Sequence, residues 1–423
     1  MLSFLVLLLA ISVIARQAPL FLLALALLVA AGLSRLWERY CLIGVEYRRR
    51  FSRRQVSFGE EVVLEIEVIN RKILPLSWLE IEDEIPQALP PKSGRIYPSH
   101  KPDRAILANF FPLRPYERIR RRYVLPCLAR GEHRFGPVRL RSGDLFGFVS
   151  CERTLELPES LVVYPRVVPL SQLGLPARYP LGDLRTKSWI FEDVTRIAGS
   201  REYRPGDGLH RIHWPASART GELHSRVFEA TTSHKLAVFL NLDTNGAPGW
   251  GYGYDPVVLE LSITVAASLA NWALDQGYQV GVYTNGFHRW TRGTITVGSG
   301  RDPGQLERIL LALGKLEPIA AQRFELLLSQ QARELPFGST VVIVSAAATP
   351  PVAGAIRTLS SRGHAVVLAL TGRRETRISM PGVVVRHVGP PESWRDEPAL
   401  SLEAGGTPLA LGREGRLRRW AVE

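Results

Sequence analysis

The sequence predicts a multi-domain chain: an N-terminal pair of apolar helices, a β-sandwich, and a doubly wound α/β domain. Three observations carry that prediction. Apolar residues fill Met1–Ala15 and Ala18–Leu33 almost without a break, the hydrophobic period is two between residues 45 and 165, and strand and helix patterns alternate after residue 234. At 423 residues the chain exceeds one ordinary core and suits two or three. An apolar share of 46% and a charged share of 22% belong to a folded chain, not a disordered one.

The first element spans residues 1–40. Its two apolar runs are interrupted by Arg16 and Gln17 and followed by Pro19. Each is shorter than the roughly 20 residues that cross a bilayer comfortably. Two readings stand: a helical hairpin of two short transmembrane segments, or a cleaved signal peptide followed by one anchor. No positive charge precedes Ala15, as a signal peptide's n-region would require, so the hairpin is the expectation. Trp37 and Tyr40 are expected at the bilayer interface. Arg35, Arg39, Arg48, Arg49, Arg50, Arg53 and Arg54 are expected to face anionic lipid, with both termini and the soluble domains cytoplasmic.

The formal net charge of +13 invites a nucleic-acid reading. Outside the cluster that follows the helices, however, the basic residues form no stripe, and no nucleic-acid partner is expected. Cys41, Cys127 and Cys151 have neither zinc-site nor CxxC spacing. Their odd number argues against a disulfide framework and favours a reducing compartment.

Residues 45–165 alternate apolar and polar side chains. Val62, Leu64, Ile66 and Val68 share one face of a strand, as do Leu79 and Ile81, and Val138 and Leu140. Turn chemistry at Phe58-Gly59-Glu60, Pro90–Gly94, Arg130-Gly131 and Ser142-Gly143-Asp144 separates these runs. Several short strands without helices between them predict an immunoglobulin-like sandwich.

Residues 234–390 form the α/β domain. Strands are expected at Leu236–Asp243, Tyr278–Tyr283, Ile295–Val297, Val341–Ser345, Ala365–Leu370 and Val383–Val388. Helices are expected at Pro256–Gln276, Gln305–Leu316, Ala321–Glu334 and Pro351–Arg362, the first with Leu261, Val265, Leu269 and Trp272 on one face. In such a sheet, sites lie beyond the carboxyl ends of the strands, so the loops after Asp243 and Ser345 carry the interest. Residues 391–423 read as a flexible basic tail.

The connecting segment, residues 166–233, is the most distinctive. It holds Arg201-Glu202-Tyr203-Arg204-Pro205-Gly206-Asp207, then Arg211-Ile212-His213-Trp214-Pro215-Ala216-Ser217-Ala218-Arg219-Thr220-Gly221. This paired signature resembles that of the domain-of-unknown-function 58 family, and Gly136-Pro137-Val138 with Asp144-Leu145-Phe146-Gly147 is similar to that family's upstream pattern. The resemblance implies a von Willebrand factor A-like fold for the last domain. It also implies a MoxR-type AAA+ ATPase as partner; other A-domain membrane proteins are further candidate partners, and membrane lipid is expected from the arginine cluster. Read physically, the segment is either a structural lock, in which Arg201, Glu202, Asp207, Arg211 and Arg219 pair among themselves, or a docking surface built on Trp214 and Arg219.

Von Willebrand factor A domains often hold magnesium through hydroxyls and carboxylates after the first strand, donors that suit a hard cation. Here the loop reads Asp243-Thr244-Asn245-Gly246-Ala247, and the later strand ends Ser345-Ala346-Ala347-Ala348. Asp243 is in place, Asn245 replaces a serine, and Ala247 has no donor. The loop is degenerate, and no metal or cofactor is expected.

Signals for an enzyme are thin. There is no P-loop, and Gly298-Ser299-Gly300 lacks the nucleophile-elbow spacing and reads as a turn. His210 and His213 lack completing ligands, and Cys127 with His133 lacks an orienting group. The expected function is a non-catalytic membrane-anchored adaptor. The alternative is a ligand- or metal-binding sensor that uses the loop after Asp243.

Overall fold

The computed structural model describes residues 2–14, 17–143, 150–175, 181, 192–204, 212–230, 235–244, 254–288, 291–372 and 379–389. The chain divides into two units, Met1–Pro165 and Arg166–Glu423. It is a mixed α/β protein of more than one domain, β-rich in its N-terminal part and α/β in its C-terminal part.

The apolar runs form α1 (Leu2–Ile14) and α2 (Ala18–Tyr40). Pro19 in the first turn of α2 lacks only an N–H that would have no intrahelical partner there. Among the described side chains of this pair the buried ones are small, Ser12, Ala24 and Ala31, whereas Phe4, Leu7, Leu22, Leu23 and Val29 are at least half exposed. The one described helix both long and apolar enough to cross a membrane is Pro256–Asp275, most of which is buried in the second unit. The apolar stretch of α2, Ala18–Gly32, is shorter.

The C-terminal end of α2 is built into the β-rich core. Cys41 and Leu42 are buried there, and the half-buried Trp37 packs against that core. The strands of this unit are β1 (Val45–Phe51), β2 (Gln55–Val56), β3 (Glu61–Asn70), β4 (Leu76–Pro86), β5 (Arg95–Pro98) and β6 (Arg104–Leu113). They are followed by β7 (Arg118–Pro126), β8 (Gly131–Phe135), β9 (Val138–Gly143), β10 (Ser150–Leu155) and β11 (Glu159–Val163). They form sheets ordered β1-β3-β7, β10-β9-β4-β6-β5 and β2-β11-β8 around one apolar core.

The alternation seen in the sequence sets the inner and outer faces. Leu64, Ile66, Val68, Leu79, Ile81 and Leu140 are buried. On the outer face of the first sheet the antiparallel register places Arg48 and Arg120 on either side of Glu67, and Arg50 and Arg122 on either side of Glu65. Arg120 Nε lies 2.8 Å from Glu67 Oε1, and that hydrogen bond lowers the Glu67 pKa. A one-residue slip would destroy this charge ladder and turn the apolar face outward.

Two expectations fail in this unit. Arg49 does not face lipid: its side chain is fully buried, 3.3 Å from Asp83. Strand alternation turns it inward between its outward neighbours Arg48 and Arg50. Cys41 and Cys151 are joined as a disulfide, 110 positions apart along the chain. Sequence spacing hides this pair, because only the antiparallel return of β10 beside β9 brings Cys151 to the end of α2. Cys127 is a free, buried thiol just after β7.

The second unit contains a turn of 3-10 helix (Leu170–Leu173), β12 (Glu192–Glu202), α3 (Trp214–Thr220), β13 (His224–Ala230), β14 (Lys235–Leu240) and α4 (Pro256–Asp275). Then come β15 (Gln279–His288), β16 (Thr291–Gly300), α5 (Gln305–Gly314), α6 (Phe324–Gln331) and β17 (Thr340–Ser345). It closes with α7 (Pro350–Ser361), β18 (Ala365–Leu370) and β19 (Val383–His387). The six-stranded sheet is ordered β16-β15-β14-β17-β18-β19, parallel except for the edge strand β16.

Successive residues of the central strands serve opposite layers. Leu236, Val238 and Leu240 pack with α4 and α5, while Ala237 and Phe239 pack with α6 and α7. Helices therefore cover both faces. The α4 helix is buried almost all round and not along a single stripe, since Ile263, Ala266, Ala267 and Ala270 are inaccessible along with Val265 and Leu269. The expected short strand at Ile295–Val297 extends through Gly298-Ser299-Gly300, so that tripeptide lies within strand β16 and is not a turn. Residues 391–423, the expected tail, lie outside the described residues.

Candidate functional site

Two places in the second unit draw together the residues singled out in the sequence. The first is the signature. β12 and β13 pair antiparallel, with Arg201 opposite Ser225 and Glu202 opposite His224. The Tyr203 N–H then donates to Leu223 O at 2.8 Å, and Ile212 bridges to Ser225.

Between these strands sits the short helix α3. His213 caps it, its Nδ1 accepting the Ala216 N–H at 3.0 Å, and Gly221 ends it with φ near +80°, a left-handed conformation that glycine adopts without strain. The Ser217 hydroxyl donates to His213 O at 3.1 Å and accepts the His224 N–H at 2.9 Å. His213 is thus a helix cap, which accounts for a histidine next to Trp214 without a metal.

These backbone and hydroxyl bonds hold the described part of the signature, and Arg201, Glu202 and Arg219 are solvent-exposed. Ala218 is exposed too, and Trp214 is 64% exposed. Pro205, Gly206, Asp207, His210 and Arg211 lie outside the described residues.

The second place is the carboxyl edge of the sheet, where β14 lies between β15 and β17. The chain leaves β14 for β15 on one side and later returns to β17 on the other, so this is the sheet's switch point. Its polar side chains bond one another. Asn241 Nδ2 donates to Ser345 Oγ at 3.0 Å, and Asn285 Nδ2 donates to Asn241 Oδ1 at 3.1 Å. Asn285 Oδ1 accepts the Leu242 N–H at 3.0 Å, Asn241 Oδ1 accepts the Asp243 N–H at 3.1 Å, and the Ser345 hydroxyl donates to Ala347 O at 2.7 Å.

Asn241, Asn285 and Ser345 are all buried. The Thr244 hydroxyl accepts the Asp255 N–H, and the Asp255 carboxylate caps α4 by accepting the Val257 and Val258 N–H groups. No group of three His, Cys, Asp or Glu side chains that could hold a metal occurs among the described residues. Asn245 and Ala247 of the degenerate loop lie outside them.

Sequence reasoning picked Asp243 here and missed Asn241 and Asn285. A signal was present: Asn241 directly follows the apolar run LAVFL, and Asn285 follows Gly281-Val282-Tyr283 with only Thr284 between. A carboxamide at such a buried position must find partners.

Glycine lets the edge close. A Cβ on Gly372 would stand 2.1 Å from Ala346 O, so the loop after β18 can approach the loop after β17 only without one.

The Cys127–His133 pair in the first unit has the wrong electrostatics for nucleophilic catalysis. Burial pushes the Cys127 thiol up to about 11 and the His133 imidazole down to about 4, so both are neutral at pH 7. Each is engaged with a backbone carbonyl, Cys127 Sγ with Leu125 O and His133 Nε2 with Ala129 O at 2.9 Å.

A mixed α/β protein whose C-terminal part joins a signature hairpin to a two-faced sheet is the class these features define. Residues 199–394 match a family described as "Protein of unknown function DUF58". The chain is 26% identical over 249 residues to the uncharacterized protein YeaD of Bacillus subtilis (strain 168), covering 58% of this chain and 57% of that one. It therefore spans little more than half the length of this curated relative.

Two solved structures resemble parts of the chain. One is a CARDB domain from Pyrococcus furiosus, solved with di-metal ions, at 11% identity and a TM-score of 0.18, covering 28% of this chain and 89% of that one. The other is Spo0M, a sporulation control protein of Bacillus subtilis, at 14% identity and a TM-score of 0.18, covering 31% of this chain and 53% of that one.

Proposed function

We propose that this chain is a non-catalytic, membrane-anchored adaptor. In this reading α1 and α2 form a transmembrane hairpin that holds an immunoglobulin-like sandwich and a von Willebrand factor A-like domain on the cytoplasmic side. The signature then docks a MoxR-type AAA+ ATPase. The order of the sheet and the helices on both its faces support the A-like reading. The apolar outward side chains of α1 and α2 support the bilayer reading, because a hydrocarbon solvent removes the cost of exposing them. At the switch point, hydroxyls and carboxamides are spent on one another, which favours a structural role for that edge over chemistry there.

The observation that carries docking is Trp214. It is 64% exposed on a helix already closed by its own cap, hydroxyl and glycine bonds, so the fold does not need its indole. Tryptophan and arginine are the residue types most enriched at binding hot spots. The test is co-purification of the intact, detergent-solubilised chain with a MoxR-type ATPase, comparing wild type with a Trp214→Ala, Arg219→Ala double variant. Loss of the ATPase from the folded variant supports docking at the signature. Retention moves docking elsewhere on the chain, and recovery of no ATPase with wild type sinks the adaptor reading.

A further inference from the structure

The end of the β-rich unit where α2 enters is a collar of three segments from distant parts of the sequence. Asn70, fully buried at the end of β3, ties two of them together. Its Nδ2 donates to Leu74 O at 3.0 Å in the β3–β4 loop and to Arg114 O at 2.9 Å in the β6–β7 loop. Its own N–H donates to Glu117 O at 2.9 Å. The third segment is the end of α2 itself. The Lys72 ammonium donates to the Tyr40 and Cys41 carbonyls, orphan acceptors at a helix C-terminus, and the Arg71 N–H donates to Gly44 O at 2.8 Å. The Tyr116 N–H closes the ring on Lys72 O at 3.3 Å.

From this rigid frame, side chains point into solvent that a soluble domain would bury. Ile73 is 77% exposed, Tyr116 69% and Ile43 58%. Tyr116 is held at φ +56°, a left-handed conformation that costs a non-glycine residue energy, and the frame maintains it with the ring outward. Beside these tips stand the exposed Arg71 and Arg114. Arg71 pairs with Glu46 at 2.7 Å, and the Glu117 carboxylate accepts the Arg114 backbone N–H at 2.6 Å, leaving the Arg114 guanidinium outward.

We propose that this collar is a second bilayer contact, in which Ile43, Ile73 and Tyr116 enter the interfacial layer while Arg71 and Arg114 bind anionic phospholipid headgroups. The proposal rests on the reading of α1–α2 as a membrane hairpin. It deepens that reading, because the β3–β4 loop of the collar is bonded to the end of α2, where that helix would leave the bilayer. Apolar and aromatic tips flanked by arginine match the chemistry of the interface: rings and aliphatic tips at the carbonyl level, guanidinium groups at the phosphates. The collar also fixes depth and tilt, since α2 is bonded into it and not hinged to it.

The test uses the full chain reconstituted into nanodiscs of phosphatidylcholine alone or with phosphatidylglycerol, read by amide hydrogen exchange. Amides of residues 71–74, 114, 116 and 117 are expected to exchange at least about tenfold more slowly in the anionic discs. An Arg71→Glu, Arg114→Glu variant is expected to lose that difference while β3 amides stay unchanged. An Ile73→Ser, Tyr116→Gly variant, which also relieves the left-handed backbone, is expected to lose protection in both lipids.

If the chain fails to float with liposomes at all, the hairpin reading falls. If it floats but the collar exchanges equally fast in both lipids, the collar proposal is overturned and the hairpin stands. Protection that follows protein-to-lipid ratio and ignores lipid charge would overturn it in favour of a second copy of the chain.

Discussion

The Tyr47 hydroxyl donates to Asp83 Oδ2 at 2.7 Å in the core of the β-rich unit, and Arg49 lies 3.3 Å from the other carboxylate oxygen. All three side chains are withdrawn from solvent. Arg49 also sits over the Phe135 ring, 5.7 Å from its centre, and reaches Leu157 O. A charge pair in such a place contributes little net stability when intact, but losing one partner strands the other. Arg49→Met, which leaves the Asp83 carboxylate without its cation, is therefore expected to destabilise the unit by about 3–5 kcal/mol. Accelerated hydrogen exchange across β3 and β4 of the intact chain would report it.

The same carboxylate makes a pH prediction. Burial raises the Asp83 pKa to about 6, against the lowering pull of Arg49. Its unfolded value is about 3.9. Between those values the folded chain holds a proton that the unfolded chain releases. Its contribution to stability is therefore largest below about pH 4, falls as pH rises to about 6 and is level above, by at most about 3 kcal/mol. Exchange of β4 amides, corrected for its intrinsic pH dependence, is expected to quicken across that window in wild type and to be flat in Asp83→Asn. A flat wild-type profile would place the Asp83 pKa near its ordinary value.

At the switch point, Asn285→Ala removes a carboxamide that serves the Leu242 N–H, Asn241 and Gln322 O together. Leaving buried partners unsatisfied costs about 1–3 kcal/mol. The expected result is faster exchange at Leu242 and Asp243 with no change in the β-rich unit. Magnesium titration is expected to leave those amides as they were, and protection on adding magnesium would revive the sensor alternative.

Gly372→Ala would drive a Cβ against Ala346 O, which is backbone and cannot rotate away. Overpacking of this kind costs about 1–3 kcal/mol. A lowered unfolding temperature for the α/β unit is expected, and an unchanged one would show that the loop after β18 yields freely.

Cys41 and Cys151 report the compartment. If the β-rich unit faces the cytoplasm, as proposed, the bond between Cys41 and Cys151 is reduced there to two thiols. Alkylation of cells lysed under denaturing conditions without reductant is then expected to label Cys41, Cys151 and Cys127 together. Mild oxidation should protect only the first two. Protection of that pair before any oxidant would put the unit on an oxidising side and overturn the cytoplasmic assignment.

How much of this was legible in sequence differs by element. Ala365–Leu370 was bounded correctly because a continuous apolar run has one way to be buried on both faces. Val62, Leu64, Ile66 and Val68 turned inward as their alternation required. Arg49, by contrast, reads as one of three consecutive arginines, and only pairing across to β4 shows it as a core residue. His213 lacks completing metal ligands in the sequence, and the helix it caps gives it a role only in the fold.

Local pattern alone fixes periodicity, and periodicity fixes which face of a strand or helix is apolar. Sequence therefore determined the apolar helices, the β-rich region and the strand–helix order of the α/β part. Pairing between residues far apart in the chain was decided by tertiary structure. The Cys41–Cys151 bond, the Asn241–Asn285–Ser345 network and the bond from Asn70 to the β6–β7 loop each join segments dozens of residues or more apart. Such contacts leave no spacing to read. Their partners meet only after the sheets that carry them have closed over their cores.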